Sequence, residues 1–593
     1  MRIVFFSPHS GIRLHSGPEW RLMDGLRTHG HSITVVTCSG ALRDFCNVMA
    51  SMGLTPGSDR VSKHLACRSC QASRAQLKRK FHDINVIDMD DHLEVGDYNE
   101  ARRIANQADQ NSWLRLEVSG IPVGRLASYE FILHRKLNTD SLDEHFIREY
   151  RKYLVPVLLS VTAAKKLLPE LDPERLITYN GLYGVNRPWK LLAEDMGVPS
   201  YSIQGGTGER TRYERLMMYR DDLQQSELNH SNAANRALAS PLSESECKSV
   251  MADLTDRETA SSAFTYSLPR SGGRPEAIRA DLGIGTDCRV FLVALSSNDE
   301  VRAARTVGTR VTPEPTVFAD QFEWLREILD LADRNSNWVF IIRLHPRMLP
   351  NQREGRVAPD VMHFRQLLDH VPSNVITNDR QKHLSVYDLM RISDTGLVRS
   401  STVGLEMVAR GIPVVSSDST DIRGFPPSLA LVARSRSEYQ QMLGVSLKVR
   451  NHERVALAAS AWRYMYFRDY VVARPVPWRK SQDDSREGVI LESATRGVVK
   501  KFAHRSRRLV PSVLIPLFRA LRSNLMARQE NPSEPIAYPD GVNSWVNPFE
   551  RTLLEASQSL VVDGEDMGGF HTDRLLLDSE RRFVGAFLAD WRE

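Results

Sequence analysis

The chain alternates short, unbroken apolar runs with longer segments whose apolar residues recur every three or four positions. A short run rich in β-formers and without in-out alternation suits a parallel strand buried on both faces. Such runs occur at 2–6, 33–37, 176–179, 199–203, 289–295, 339–344, 396–399 and 412–415. Helical spacing between them predicts helices near 18–28, 141–168, 186–196, 320–334 and 452–469. The repeated strand–helix–strand rhythm gives an α/β fold. At 593 residues the chain exceeds what one core usually supports. Ser271-Gly272-Gly273-Arg274-Pro275 is the best linker signal. The expected organisation is two Rossmann-like domains facing a cleft, 1–275 and 276–475, followed by a mostly helical appendage, 476–593.

Several predicted strands exit into polar residues, where open α/β sheets bind ligands. The 339–344 run ends in His345-Pro346-Arg347, and the 396–399 run in Ser400-Ser401-Thr402 at the start of a helix. Hydroxyls beside the free N–H groups of a helix start favour an anion. The 289–295 run exits into Ser296-Ser297-Asn298-Asp299-Glu300, whose Asp299 or Glu300 could meet sugar hydroxyls. The first strand exits into Ser7-Pro8-His9, and His9 is a candidate general base, which would need a pKa near neutrality. Asn180-Gly181 and Gln204-Gly205-Gly206 end two more strands, with glycines that let a ligand approach the backbone. Taken singly, each of these reads as well as turn or cap chemistry. Gly11 and Gly17 form no dinucleotide fingerprint, so NAD is not expected.

Arg-Leu-His-Pro-Arg at 343–347 and Ser-Ser-Thr-Val-Gly-Leu-Glu at 400–406 resemble the paired His-Pro and Ser-Ser motifs of bacterial GT-B glycosyltransferases of capsule and surface polysaccharide biosynthesis, a group that includes sialyl-, Kdo- and CDP-glycerol transferases. The resemblance covers roughly 285–470 and is weaker before it. It implies that His345, Arg347, Ser400, Ser401 and Thr402 hold the phosphates of a CMP- or CDP-linked donor, with Arg343 and Glu406 orienting the ribose or the histidine. It implies a nucleotide-sugar donor, a glycan or glycolipid acceptor on the first domain, and a catalytic part for His345 beside the candidate base His9. Where the group often has an acidic residue this chain has Gln204, so no catalytic acid is assigned there. No DxD-like motif stands out in a fitting loop, which suits a metal-independent reaction. Glycerophosphate transfer from a CDP-linked donor, or a degenerate, non-catalytic glycan-binding protein, are the rival readings.

Composition refines this picture at two places. Cys38, Cys46, Cys67 and Cys70 cluster in sequence and could make a tetrahedral zinc site, although the first spacing is unusual and four unassociated thiols fit as well. No other cofactor is expected. Nine Lys or Arg and no acid lie between 496 and 528; taking these from the 78 basic residues leaves 69 against 73 acidic ones. Interleaved apolar residues suit an anionic membrane surface, a solvated packing helix fits equally, and sparse aromatics argue against nucleic acid. Residues 1–6 read as a strand and not as a signal peptide, so the expected location is cytoplasmic, peripheral at the inner membrane face. The pattern leaves the oligomeric state open.

Overall fold

A computed structural model describes residues 1–205, 216–219, 238–259, 267–308, 317–350, 356–378, 384–399, 401–417, 426–470 and 578–592. The first domain runs β1 (Arg2–Phe6), α1 (Arg13–Thr28), β2 (Ser32–Thr37), α2 (Asn47–Ser51), α3 (Arg60–Lys80), β3 (Asn85–Asp88), α4 (Val95–Ala105), α5 (Val123–Arg135), α6 (Glu144–Leu171), β4 (Arg175–Tyr179), α7 (Arg187–Asp195), β5 (Ser200–Gly205) and β6 (Leu216–Tyr219). The second runs α8 (Glu244–Glu258), α9 (Pro275–Asp281), β7 (Arg289–Ala294), α10 (Asn298–Thr306), α11 (Gln321–Arg334), β8 (Trp338–Arg343), α12 (Asp360–Leu368), β9 (Val375–Asn378), α13 (Val386–Arg391), β10 (Thr395–Val398), α14 (Val403–Val408), β11 (Val414–Ser416), β12 (Leu431–Val432), α15 (Arg436–Ser446) and α16 (Asn451–Tyr470). A last helix, α17 (Asp578–Arg592), closes the described chain.

The first sheet has the order β3-β2-β1-β4-β5-β6, parallel except for β6, and the second has the order β12-β11-β10-β7-β8-β9, parallel throughout. Counted from the start of each domain, both are the 3-2-1-4-5-6 order of the Rossmann fold, so the two-domain α/β expectation holds. In each sheet the direction of winding reverses between the first and fourth strands: β1 and β4 in the first domain, β7 and β10 in the second. β1 and β7 lie at the sheet centres and are buried along all but their first residue.

Three elements differ from the pattern-based expectation. Residues 123–135 form a helix, whereas the pattern around Pro122 and Gly124 reads as a turn or strand. β3 lies inside a segment that reads as a charged helical face; its Asn85 and Asp88 hide a four-residue strand. α8 precedes the Ser271–Pro275 linker yet packs in the second core, through Cys247, Val250 and Leu254. The linker itself is tied down, because Ser271 N donates to both Asp388 oxygens at 3.1 and 3.0 Å.

α17 completes the second core. Val584, Leu588 and Trp591 are buried against α16, and Phe587 meets Trp462 edge-on at 5.3 Å. The Arg463 and Glu580 side chains are both fully buried; Nε donates to Oε1 at 2.7 Å and Nη2 to Oε2 at 2.5 Å. The basic segment 496–528 lies outside the described residues. Among the described residues no helix is long and apolar enough to cross a membrane.

The domains touch through α5 and the segment after it. α5 packs on α10, and Ala303 and Val307 of α10 belong to the first domain's core. Lys136 ends α5 in the left-handed region (φ 54°) and is buried; its ammonium donates to the backbone oxygens of Arg347 and, at 3.0 Å, Arg356. Asn138 donates to Asp360 at 2.7 Å, and Arg302 pairs with Asp140.

Candidate functional site

The second domain brings three strand exits together. β7 lies between β8 and β10, so Ser296 and Ser297, His345 and Ser401 leave three adjacent strands at one edge. Ser296, Ser297 and Ser401 are buried, as is Ser417 after β11. The hydroxyls of Ser296 and Ser417 have no hydrogen-bond partner among the described residues. Buried hydroxyls left unpaired cost about 1–3 kcal/mol each unless a ligand or water meets them. Thr402 is exposed and stands before α14, whose six residues give a weak dipole; hydroxyls and backbone N–H groups carry any anion affinity there. Ser400 lies outside the described residues.

His345 caps the turn after β8, its Nδ1 accepting from Arg347 N at 3.2 Å. Burial first, and then the positive charges of Arg343, Arg347 and Lys136, lower its pKa to about 3. The residue as a whole keeps an intermediate exposure. It is neutral at physiological pH and serves through a hydrogen bond rather than a charge. Arg343 is buried and donates to Ser267 Oγ at 3.0 Å; burial pulls its pKa to about 10, which leaves the guanidinium charged. Arg347 is committed elsewhere. It meets Asp299 at 2.8 Å and Glu300 at hydrogen-bond distance, both across its guanidinium. Asp299 is buried in that pair and also accepts from Ser297 Oγ. Asp299 and Glu300, expected to meet sugar hydroxyls, both face Arg347 here, because a buried guanidinium needs the counter-charge. Glu406 does not reach the histidine as an orienting partner; it accepts from Tyr387 OH at 2.9 Å and from Arg257 at 3.4 Å. It positions α14 from behind, with Arg410 donating to its backbone oxygen at 3.0 Å.

The first domain offers His9 and the β4 exit, again at the point where winding reverses. His9 is buried, both ring nitrogens lack a partner among the described residues, and the ring meets Tyr183 edge-on at 5.5 Å. Burial lowers its pKa to about 3, far from the near-neutral value expected of a base. Asn180 takes the left-handed region (φ 55°), and its Oδ1 accepts from Leu182 N at 3.1 Å, a turn role that Gly181 shares. Gly205 N donates to Tyr179 OH at 3.4 Å at the end of β5. Gly206 lies outside the described residues.

No family model matches the chain. No curated protein matches it in sequence either. Among solved structures it is similar to UDP-GlcNAc 2-epimerase from Neisseria meningitidis, at 12% identity, covering 80% of this chain and 98% of that one with a TM-score of 0.29. It is similar to KpsC, the beta Kdo 2,4 transferase of Thermosulfurimonas dismutans, at 14% identity, covering 50% and 80% with a TM-score of 0.29. It is also similar to CalG4, the calicheamicin glycosyltransferase, at 14% identity, covering 86% and 99% with a TM-score of 0.25. Likenesses this low carry nothing about what the chain acts on.

Four groups at the cleft escaped the pattern reading. Tyr129 on α5 lies near Tyr183, with ring centroids 6.4 Å apart. Burial raises its pKa, helped by the negative charges of Glu130 and of Glu300 across the cleft. Lys136 is the second. Glu19 on α1 is buried, accepts from Ser7 Oγ at 2.5 Å, and is pushed up to about 8 by burial, so it is mostly protonated at pH 7. Burial also raises Glu130 to about 7, but its oxygens accept from Gly184 N at 3.0 and 3.2 Å and from Asn47 at 3.3 Å, which anchors the turn after β4. Glu19, Tyr129 and Glu130 lie inside helices and Lys136 at the end of one, with no strand exit to mark them.

The zinc expectation does not fit. No three of the cysteine, histidine and acidic side chains among the described residues come together as a metal-holding group, and Cys38, Cys46, Cys67 and Cys70 are all described. Burial pushes the Cys67 and Cys70 thiols up to about 12, so they are protonated thiols packed beside the first core. Those two lie on α3, and Cys46 stands at the start of α2.

Proposed function

We propose that the protein is a glycosyltransferase that moves a sugar from a nucleotide-activated donor, CMP- or CDP-linked by preference, to a surface polysaccharide or glycolipid acceptor. The observation that carries this reading is the pairing of two Rossmann-order sheets whose reversal points both end in a buried, unpaired polar group, His9 on one side and Ser296, near Ser401, on the other, with His345 and the unpaired Ser417 at the flanking strand exits. The resemblance of 343–347 and 400–406 to the His-Pro and Ser-Ser motifs agrees with it. In this reading His345 and the hydroxyls of Ser400, Ser401 and Thr402 hold the phosphate that leaves, and Arg343 supplies positive charge nearby. Positioned donors stabilise the developing negative charge without a metal. The bond from the anomeric carbon to the phosphate oxygen breaks, the acceptor oxygen takes that carbon, and the acceptor proton passes to a base. His9 is neutral and so able to accept that proton; the negative donor would raise its pKa from about 3 towards a working value. Arg347 stays with Asp299 and Glu300 and ties the site to α10 and the domain contact.

A thermal-shift series against CMP, CDP, UDP, GDP and ADP tests the reading, with His345→Ala and Ser401→Ala alongside. A nucleotide at 100 times its Kd raises stability by about 2.7 kcal/mol. A cytidine nucleotide should raise the Tm of the parent and of neither variant. A uridine or guanosine response keeps the transferase and discards cytidine; stabilisation by none of the five refutes a nucleotide site and leaves a glycan-binding protein as the better description.

A further inference from the structure

A second concave site lies on the first domain. It is a cavity of about 550 Å³. Its walls carry Arg60, Lys63, Arg102, Arg148, Arg151 and Lys152, with Asp44 the only acid. These six cations come from three helices, α3, α4 and α6. A surface face with scattered charge would mix signs. This one does not, although outside 496–528 the chain holds more acids than bases.

The cations divide into two sets. Lys63 donates to the backbone oxygens of Asp44 and Pro56 at 2.7 and 2.8 Å, which holds the loop after β2 against the wall. Arg151 donates to Ala108 O at 2.8 Å and lies 3.5 Å from Glu144. Arg60, Arg102, Arg148 and Lys152 have no partner among the described residues and are exposed at the cavity. Burial lowers the Lys63 pKa; Asp44 opposes that and Lys152 adds to it. Like charges gathered in a concavity concentrate an anion and raise its association rate.

Topology places the cavity. Asp44 belongs to the loop that leaves the carboxyl end of β2, Pro56–Ser58 to the link between α2 and α3, and Arg60 opens α3, while Arg148 and Lys152 stand in the second and third turns of α6. The cavity therefore opens on the same edge of the first sheet as His9. Its lining holds no aromatic side chain, so stacked bases have no platform. Its only apolar wall is Pro56, Ala105 and Val155, too little for an acyl chain.

We propose that this cavity binds an acidic glycan, a sugar chain carrying phosphate, sulfate or carboxylate groups, through Arg60, Arg102, Arg148 and Lys152. On the proposed transferase reading, which this deepens, it holds the acceptor a few sugars from the end being extended. Anionic groups on the chain set the preference, and the transferase extends acidic polymers in favour of neutral ones.

The test is fluorescence anisotropy on the full chain with a labelled heparin hexasaccharide, which carries sulfate and carboxylate, against labelled maltohexaose. Phosphatidylglycerol vesicles form a third arm. Two charge-reversed proteins are compared with the parent: Arg148→Glu with Lys152→Glu, and Arg505→Glu with Arg507→Glu in the basic segment. The parent should bind the hexasaccharide with a steep salt dependence and ignore maltohexaose. The first double variant should lose tenfold or more in affinity and keep its Tm, while the second binds like the parent. Equal binding of the acidic and neutral sugars overturns the proposal, as does a loss confined to the second variant. Vesicle binding that depends on Arg148 and Lys152, without hexasaccharide binding, overturns it in favour of a lipid headgroup. If nucleotides stabilise nothing but the hexasaccharide binds through these residues, the transferase reading falls and the glycan site stands.

Discussion

Replacing Glu580 by Ala removes the counter-charge of a guanidinium that has no route to water. Arg463 and Glu580 are each within 1% of complete burial, joined by two hydrogen bonds, and the Glu580 Oε1 also accepts from Leu242 N at 2.7 Å. Breaking a buried pair from one side costs about 3–5 kcal/mol, and orphaning the Leu242 N–H adds about 1 kcal/mol. In a domain of this size each kcal/mol moves the Tm by about 2–4 °C, so a fall on the order of 10–20 °C is expected in the transition of the second domain. Differential scanning calorimetry should show that transition move while the first domain's stays in place. Replacing both partners, Arg463→Met with Glu580→Leu, should recover part of the loss, because the unpaired charge is then gone. A fall of less than about 3 °C in Glu580→Ala, or a double variant no better than the single one, would mean that α17 does not close the second core in this way.

Gly124→Ala should destabilise the first domain by about 3 kcal/mol, read as a lower urea midpoint, since a methyl group there runs into the Trp113 carbonyl oxygen that Tyr150 also uses at 3.1 Å. The pH profile of Tm should fall on both sides. His9 and His345 sit at about 3 against 6.5 when unfolded, so below pH 6.5 the unfolded chain takes up protons that the folded chain refuses, and stability drops as pH falls towards 3. Glu19 sits at about 8 against 4.5, so the folded chain holds a proton that the unfolded chain releases, and stability drops as pH rises through that window. His9→Gln should flatten the acid limb and Glu19→Gln the basic one; limbs identical to the parent's would refute the assignment.

The central strands were legible because their chemistry is local. β1, β7, β8 and β10 are short, uniformly apolar and end in polar turns, and a strand buried on both faces allows no other pattern. The strand-exit residues His9, His345 and Ser401 followed from the same signal. Alternating strands and helices also fixed the fold class, since parallel strands need crossover helices.

What the partners of those residues are could not be read along the chain. Arg347 looks like a phosphate ligand in sequence, but tertiary packing lays α10 across it, and burial then demands Asp299 and Glu300 as counter-charges. The depressed pKa values of His9 and His345 come from desolvation, which depends on everything packed around a ring. α17 belongs to the second core only because Glu580 and Trp591 meet Arg463 and Arg410 from distant parts of the chain. The basic cavity is the sharpest case: its cations are scattered along the sequence from Arg60 to Lys152, and only the convergence of α3, α4 and α6 gathers them on one concavity. Sequence determines where strands end and which letters stand there; three-dimensional proximity decides which of those letters are neutralised, buried or left facing a ligand, because charge and desolvation act through space and not along the chain.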